Sequence, residues 1–473
     1  MCRLHLLACT AVALVIGLGD AFGAGREGDL VVAIKSGDVS GAMSLIRHGG
    51  DINVPEADGT TALHWAVHRD NLELVEALLQ AGASATSVNR YGVQPLSLAC
   101  FNGNAAIVER LLASGADPNT TKPAGETVLM TAARSGSADV VRRLVSRGAD
   151  VNRRDPERGQ TALMWAAAEN HAEVVQILLD HGGDIAARSR AGFTPLLYAA
   201  RGGHLDAARA LLLRGGDVND TLPTGISALV LAVVNAKYQL ATLLLEYGAD
   251  PNADGAGWTA LHQMAWTRRP HVGFNNPDPV PVDGVDGLEL VRTLIDYGAD
   301  PNARVKKELK DEPRTGLSGL NRTGATPFFL AAKDADVELM RALASRGADP
   351  LLTNEDGTTP LMVAAGIGIF TPGEDPGTNE EALEAVKLAL ELGGRVTDAD
   401  RRGETALHGA AIRGANALVK FLVSQGARLD AKNSRGWTPL TIAEGVMLGG
   451  TFKRQPETAT LLRELMGQVS SGA

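Results

Sequence analysis

Histidine is the first residue type to weigh for chemistry here, because an imidazole can ligate a metal, move a proton or fix a turn. His64, His262 and His408 share one context, Thr-Ala-Leu-His, at Thr61-Ala62-Leu63-His64, Thr259-Ala260-Leu261-His262 and Thr405-Ala406-Leu407-His408. A common zinc would need all three nitrogens at ~2 Å from one ion, and these sites lie several structural periods apart. Among the cysteines, Cys2 and Cys9 fall in an apolar leader, and Cys100 stands alone on a helix, where a thiol is expected to be core rather than nucleophile. His68-Arg69-Asp70 copies a kinase triplet without the rest of that signature. Gly23, Gly25 and Gly28 spell a GxGxxG with no strand before it, so no dinucleotide site is expected. No HExxH, paired CxxC, GxxxxGK[ST] or GxSxG is present. Carboxylates such as Asp117, Asp150, Asp250, Asp300 and Asp349 sit at turn tips, where they close Asx turns more readily than they catalyse. The residues left for an enzymatic site are His271, Asp278, Asp283 and Lys306, all in long interruptions. No catalytic residue, metal or cofactor is expected.

The elements that would have to position such groups are uniform. The stretch 58–82, DGTTALHWAVHRDNLELVEALLQAG, reads as a turn, a short helix, a second turn, a longer helix and a stop. Thr61 can cap the first helix; Leu74, Val75, Leu78 and Leu79 give the second one apolar stripe; Gly82 suits a left-handed stop. Such a pair cannot bury its stripe alone, and the chain repeats it. Capping positions recur at Thr61, Gln94, Thr127, Thr161, Thr194, Ser227, Thr259, Thr326, Thr359, Thr405 and Thr438, mostly 33 residues apart. The stop glycines Gly49, Gly82, Gly115, Gly148, Gly182, Gly215, Gly248, Gly298, Gly347, Gly393 and Gly426 keep step with them.

A period of 33 with Thr-Pro-Leu at Thr194, Thr359 and Thr438 resembles the ankyrin repeat. The resemblance implies an all-α solenoid of about twelve helix pairs with short β-hairpin tips. It also implies that His64, His262 and His408 bond backbone near the hairpins, and that His171 and His204 fill the turn between helices. Gln94 lacks the capping hydroxyl, and Met264 stands where the family has a small alanine.

Residues 1–24 place Arg3 and His5 before an apolar run from Leu6 to Leu18 and then small residues, the pattern of a signal peptide. The expected organisation continues with an N-terminal capping repeat over 25–57 and regular repeats over 58–257. Repeats with insertions at 268–285, 304–320 and 367–380 follow over 258–436, and a C-terminal capping repeat and frayed tail close the chain over 437–473. With 473 residues, a net charge of -10 and no basic run, the chain is not expected to bind nucleic acid or anionic membranes by charge.

In the ankyrin family partners bind the face formed by hairpin tips and first helices. By resemblance those slots hold Tyr91, Phe101, Phe193, Trp258, Trp266 and Trp437, six of the 19 aromatic residues. Exposed aromatic rings anchor partners well. Trp258 and Trp266 flank the first helix of the twice-interrupted repeat, which makes that region the first expectation for a site. Trp65, Trp165 and Tyr198 are expected in the core. The reading is therefore a monomeric, non-enzymatic scaffold of bacterial type, exported to periplasm or medium, binding a protein through the concave face and inserted loops. The alternative is an envelope enzyme or ligand-binding protein with its site at 268–320.

Overall fold

The computed structural model describes residues 29–269, 284–307, 320–369, 377–448 and 451–471. The expected leader and most of the three insertions lie outside them. The chain forms two compact units, Met1–Asp150 and Val151–Ala473, so the units part inside the block that reads in sequence as regular repeats.

The first unit contains the pairs α1 (Asp29–Ser36) and α2 (Val39–Arg47), α3 (Ala62–His68) and α4 (Leu72–Gln80), α5 (Pro95–Asn102) and α6 (Ala105–Ala113), and α7 (Val128–Ser135) and α8 (Ala138–Ser146). The second begins with α9 (Ala162–Ala168) and α10 (Ala172–Asp180), α11 (Pro195–Gly202) and α12 (Leu205–Leu213), α13 (Ala228–Val234) and α14 (Tyr238–Glu246), and α15 (Ala260–Arg268) and α16 (Gly287–Asp296). It continues with α17 (Pro327–Lys333) and α18 (Val337–Ala344), α19 (Pro360–Ala365) and α20 (Asn379–Glu391), α21 (Ala406–Arg413) and α22 (Asn416–Ser424), and α23 (Pro439–Glu444) and α24 (Pro456–Ser471). Within each unit first helices pack on first helices and second on second.

Local chemistry explains why these stretches fold as they do. All eleven expected capping residues are N-caps, and eight of them accept a backbone amide of the first turn. Gln94 makes no such bond. The Gln94→Thr change is expected to supply the missing cap and raise stability by about 0.5 kcal/mol, net of the Thr120 contact it gives up. A lowered urea midpoint for that variant would contradict this account. Every stop glycine has a positive φ, from 77° at Gly49 to 101° at Gly393, the conformation in which a side chain is strained.

Packing follows one rule. Five residues after each cap, Ala66, Ala99, Ala132, Ala166, Ala199, Ala232, Ala331, Ala364, Ala410 and Ala443 are fully buried, which lets first helices approach closely. Met264 takes this slot in α15 and is equally buried. Apolar residues of the second helices, such as Leu74, Val75 and Leu78, fill the layer behind, at ~0.8 kcal/mol per buried methylene.

Three details differ from expectation. The tips are tight turns with isolated β-bridges, Thr121 to Thr127 and Thr221 to Ser227. The turn before the last helix instead makes an antiparallel hairpin, β1 (Val446–Leu448) and β2 (Thr451–Lys453), with Met447 opposite Phe452. The C-terminal helix reaches Ser471, through residues expected to fray, because Gln468–Ser471 contains neither glycine nor proline to stop it.

Candidate functional site

Each motif histidine is a clasp. The Thr61 amide donates to Nδ1 of His64 (3.2 Å), which leaves Nε2 to carry the proton and donate to the Val93 carbonyl in the next hairpin (3.0 Å). His408 does the same with Thr405 (3.1 Å) and Trp437 (3.1 Å). His262 takes the Thr259 amide (3.2 Å) and reaches two carbonyls, Ala303 at 3.0 Å and Ala325 at 3.3 Å, one on each side of the 304–320 insertion. Burial pushes the His64 pKa down and lowers that of His262 to about 4, holding both neutral. Both nitrogens of each ring are spent on backbone. Among the described residues no three metal-ligating side chains gather in one place.

The turn-tip carboxylates are engaged locally as well. Asp117, Asp250, Asp300 and Asp349 each accept the amide two residues on, at 2.8, 2.8, 2.8 and 2.9 Å. A companion went unread in the sequence. Asn53, Asn119, Asn152, Asn219, Asn252 and Asn302 donate to the carbonyl of the next stop glycine and accept an amide two residues beyond it, as Asn302 does with Gly347 (2.9 Å) and Asp349 (2.7 Å). Its signal is an asparagine four places after a stop glycine.

Cys100 is fully buried and its thiol pKa is pushed up by desolvation, away from nucleophile chemistry. Of the enzymatic alternatives, His271, Asp278 and Asp283 lie outside the described residues, and Lys306 pairs with Asp254 at 2.6 Å.

The six aromatic candidates separate by exposure. In the first unit Tyr91 is 48% exposed under Arg90, and Phe101 is 59% exposed at the end of α5. In the second, Phe193 and Trp437 are half-buried, each with an arginine stacked on it, Arg201 at 4.9 Å and Arg435 at 4.8 Å. Trp258 corrects the sequence reading: it is 1% exposed and cannot meet a partner. Its ring lies 5.2 Å from Trp266 and edge-on to His262 at 5.9 Å. Beside it the Lys306 amide donates to the Gly257 carbonyl (3.0 Å), so the stem of the insertion lies on the hairpin that carries Trp258. Trp266 is half-buried under the guanidinium of the buried Arg322, 4.8 Å from its ring. Of the six, the structure brings together only this pair, as internal packing. Trp65 and Tyr198 are buried as expected, while Trp165 is half-buried.

The interrupted repeats are joined by charge. Arg268 at the end of α15 donates to Asp336, the fully buried N-cap of α18 (2.9 Å), and Arg269 donates to Glu381 of α20 (2.7 Å). Burial works against both charges. The Asp336 bond nonetheless leaves the Arg268 pKa raised, and the Thr378 amide with Arg269 leaves that of Glu381 lowered. Lys333 and Asp334, both buried, pair at 3.0 Å.

Sequence models of one family cover most of this architecture. The model described as ankyrin repeats in three copies matches residues 30–122, 129–222, 196–273 and 378–451, and that for a single ankyrin repeat matches 256–306. The chain belongs to the ankyrin-repeat family. Ankyrin repeats generally mediate protein–protein interaction. This ankyrin chain is 34% identical over 135 residues, 28% of its length, to a transient receptor potential cation channel subfamily A member 1 homolog of Caenorhabditis elegans. It is 36% identical over 81 residues (17%) to the potassium channel AKT1 of Arabidopsis thaliana. It is 31% identical over 118 residues (25%) to the ankyrin repeat and SOCS box protein 16 of Mus musculus. The ankyrin chain spans only 10%, 10% and 25% of the length of these three proteins. Among its described residues no helix is long and apolar enough to cross a membrane.

Proposed function

We propose that this chain is an exported, non-enzymatic binding module, of bacterial type, that docks a partner protein on its hairpin side. The face used is the concave one of its repeats, joined at one end by the inserted loops. One observation supports this most strongly. Among the described residues the motif histidines and the turn-tip carboxylates Asp117, Asp250, Asp300 and Asp349 are bonded to the chain itself, while aromatic rings such as Phe101, at 59% exposure, remain open. Phe101 and Tyr91 serve the first unit and Phe193 the second. Trp437 serves the second unit as well, while Trp266 is held for internal packing first. Export rests on the apolar run from Leu6 to Leu18, and periplasm or medium is the proposed destination.

The test places a photo-crosslinking phenylalanine at Phe101 or Phe193 in the full chain and illuminates it in the host's envelope fraction. One crosslinked protein common to both sites is expected. The control position is Leu213, 66% exposed at the end of a second helix. The same products at Leu213, or none at either aromatic site, would refute the reading. Recovery of the chain in the cytosol with residues 1–24 intact would refute export alone.

A further inference from the structure

At the joints between successive hairpin tips, one backbone amide donates to the carbonyl of the preceding tip and sets two residues side by side. Arg90 is joined in this way to Asp58 (2.8 Å), Arg401 to Asp356 (2.9 Å), Glu355 to Thr323 (2.9 Å) and Ser434 to Arg402 (2.7 Å). Each of these matches a charge with its opposite or with a hydroxyl. Arg190 is joined to Arg158 (2.8 Å), and among the described residues only this joint sets two like-charged residues side by side. Such pairs repel.

Among the described residues no carboxylate pairs with either side chain. Arg158 and Arg190 are exposed and neither side chain meets an acceptor. Asp155, in the same tip, is buried and spends its oxygens on the amides of Glu157, Arg158 and Gln160, at 3.0, 2.6 and 2.6 Å. Asp184 and Glu157 are exposed carboxylates of these tips; Asp184 closes a turn on Ala186 (3.0 Å), and neither pairs with Arg158 or Arg190.

The strip continues inward along the same two repeats. Gln160 donates to the Tyr198 hydroxyl (2.7 Å), and Phe193 packs on Tyr198 with ring centroids 5.0 Å apart. The exposed Arg201 lies over both rings, at 4.9 and 5.2 Å, and pairs with no carboxylate among the described residues.

We propose that this strip, from Arg158 and Arg190 to Phe193, Tyr198 and Arg201, receives a carboxylate-rich segment of the partner protein. The proposal rests on the reading of the hairpin side as the docking surface and specifies what docks there. A guanidinium presents paired donors that match a carboxylate, and an anion between Arg158 and Arg190 removes their mutual repulsion. An apolar side chain of the same segment sits against Phe193 and Tyr198. Nucleic acid is the poorer fit, since a polyphosphate needs an extended basic surface and the chain carries a net charge of -10.

The experiment selects random twelve-residue peptides displayed on phage against the immobilised full chain, with Arg158→Glu as counter-bait. Selected peptides are then titrated by fluorescence anisotropy beside a thirty-residue oligothymidylate. The expected result is a set rich in Asp and Glu that binds Arg158→Glu or Arg190→Glu at least tenfold more weakly. The same peptides should lose affinity as salt is raised. Arg158→Glu restores an opposite-charge joint like that of Asp58 and Arg90, so its melting temperature should equal or exceed the parent's, separating lost binding from lost folding. The proposal is overturned if no peptide is enriched, if the peptides lack acidic excess, if Arg158→Glu retains them, or if the oligothymidylate binds as tightly. If the crosslinked partner at Phe193 persists in Arg158→Glu, the docking surface stands and its acidic specificity falls.

Discussion

Replacing Asp336 with alanine is expected to cost about 4 kcal/mol, among the largest losses any single substitution in the second unit should produce. Its carboxylate is fully buried, caps α18 through the Leu339 amide at 3.0 Å, and accepts Arg268 Nε at 2.9 Å and Nη2 at 3.3 Å. Losing the cap accounts for about 1 kcal/mol. The larger part comes from stranding Arg268, whose side chain is only 12% exposed. Its remaining partners compensate little, because Asp286 and Glu338 have side chains 62% and 74% exposed, and ion pairs in that setting contribute ~0–1 kcal/mol. Asp336→Asn keeps a capping oxygen and should fall between alanine and the parent. Since repeats support their neighbours, the loss should register as faster amide exchange in α15 to α18 before it reaches distant helices. A change below about 1 kcal/mol for Asp336→Ala would show that the buried pair does not hold these repeats together.

Acid should loosen the same region through His262. Its folded pKa of about 4 lies below the ordinary 6.5, so on acidification the unfolded chain takes up the proton first. Above pH 6.5 both states are neutral and the clasp is at full strength; stability then declines until the folded imidazole titrates near pH 4. The total is roughly 3 kcal/mol, at about 1.4 kcal/mol per pH unit. Many carboxylates also titrate toward the lower end, so the decisive measurement is the difference between the parent and His262→Gln in urea midpoint across this range. The variant should start lower, because two carbonyls and a threonine amide lose their partner, and should show a shallower slope. Parallel curves would remove His262 as the origin of the acid response.

What could be read from sequence was what depends on near neighbours in the chain. A threonine caps its own helix and a glycine at φ 77° to 101° ends its own turn, so both were legible without knowledge of the fold. The exposure of Trp258 was not. Val93, Phe193 and Trp437, which also precede a cap, are half-buried, but here Lys306 returns from an insertion to bond Gly257, and the ring closes on His262 and Trp266. The ion pair of Arg268 with Asp336 was hidden for the same reason, since 68 positions separate them and no local pattern marks two ends of an interrupted period. The division at Asp150 also left no composition shift to find. The asparagine links were legible in principle, being fixed at four places after a glycine, and needed only a column-by-column comparison of the periods.

Those links are absent where Thr86, Ala186, Leu351 and Thr397 occupy the asparagine position. Each unit is therefore a spring of unequal stiffness, with soft seams beside tightly stitched ones. Under tension or thermal breathing it should part at the unstitched seams first, and a ligand lying across one of them would act as the missing stitch.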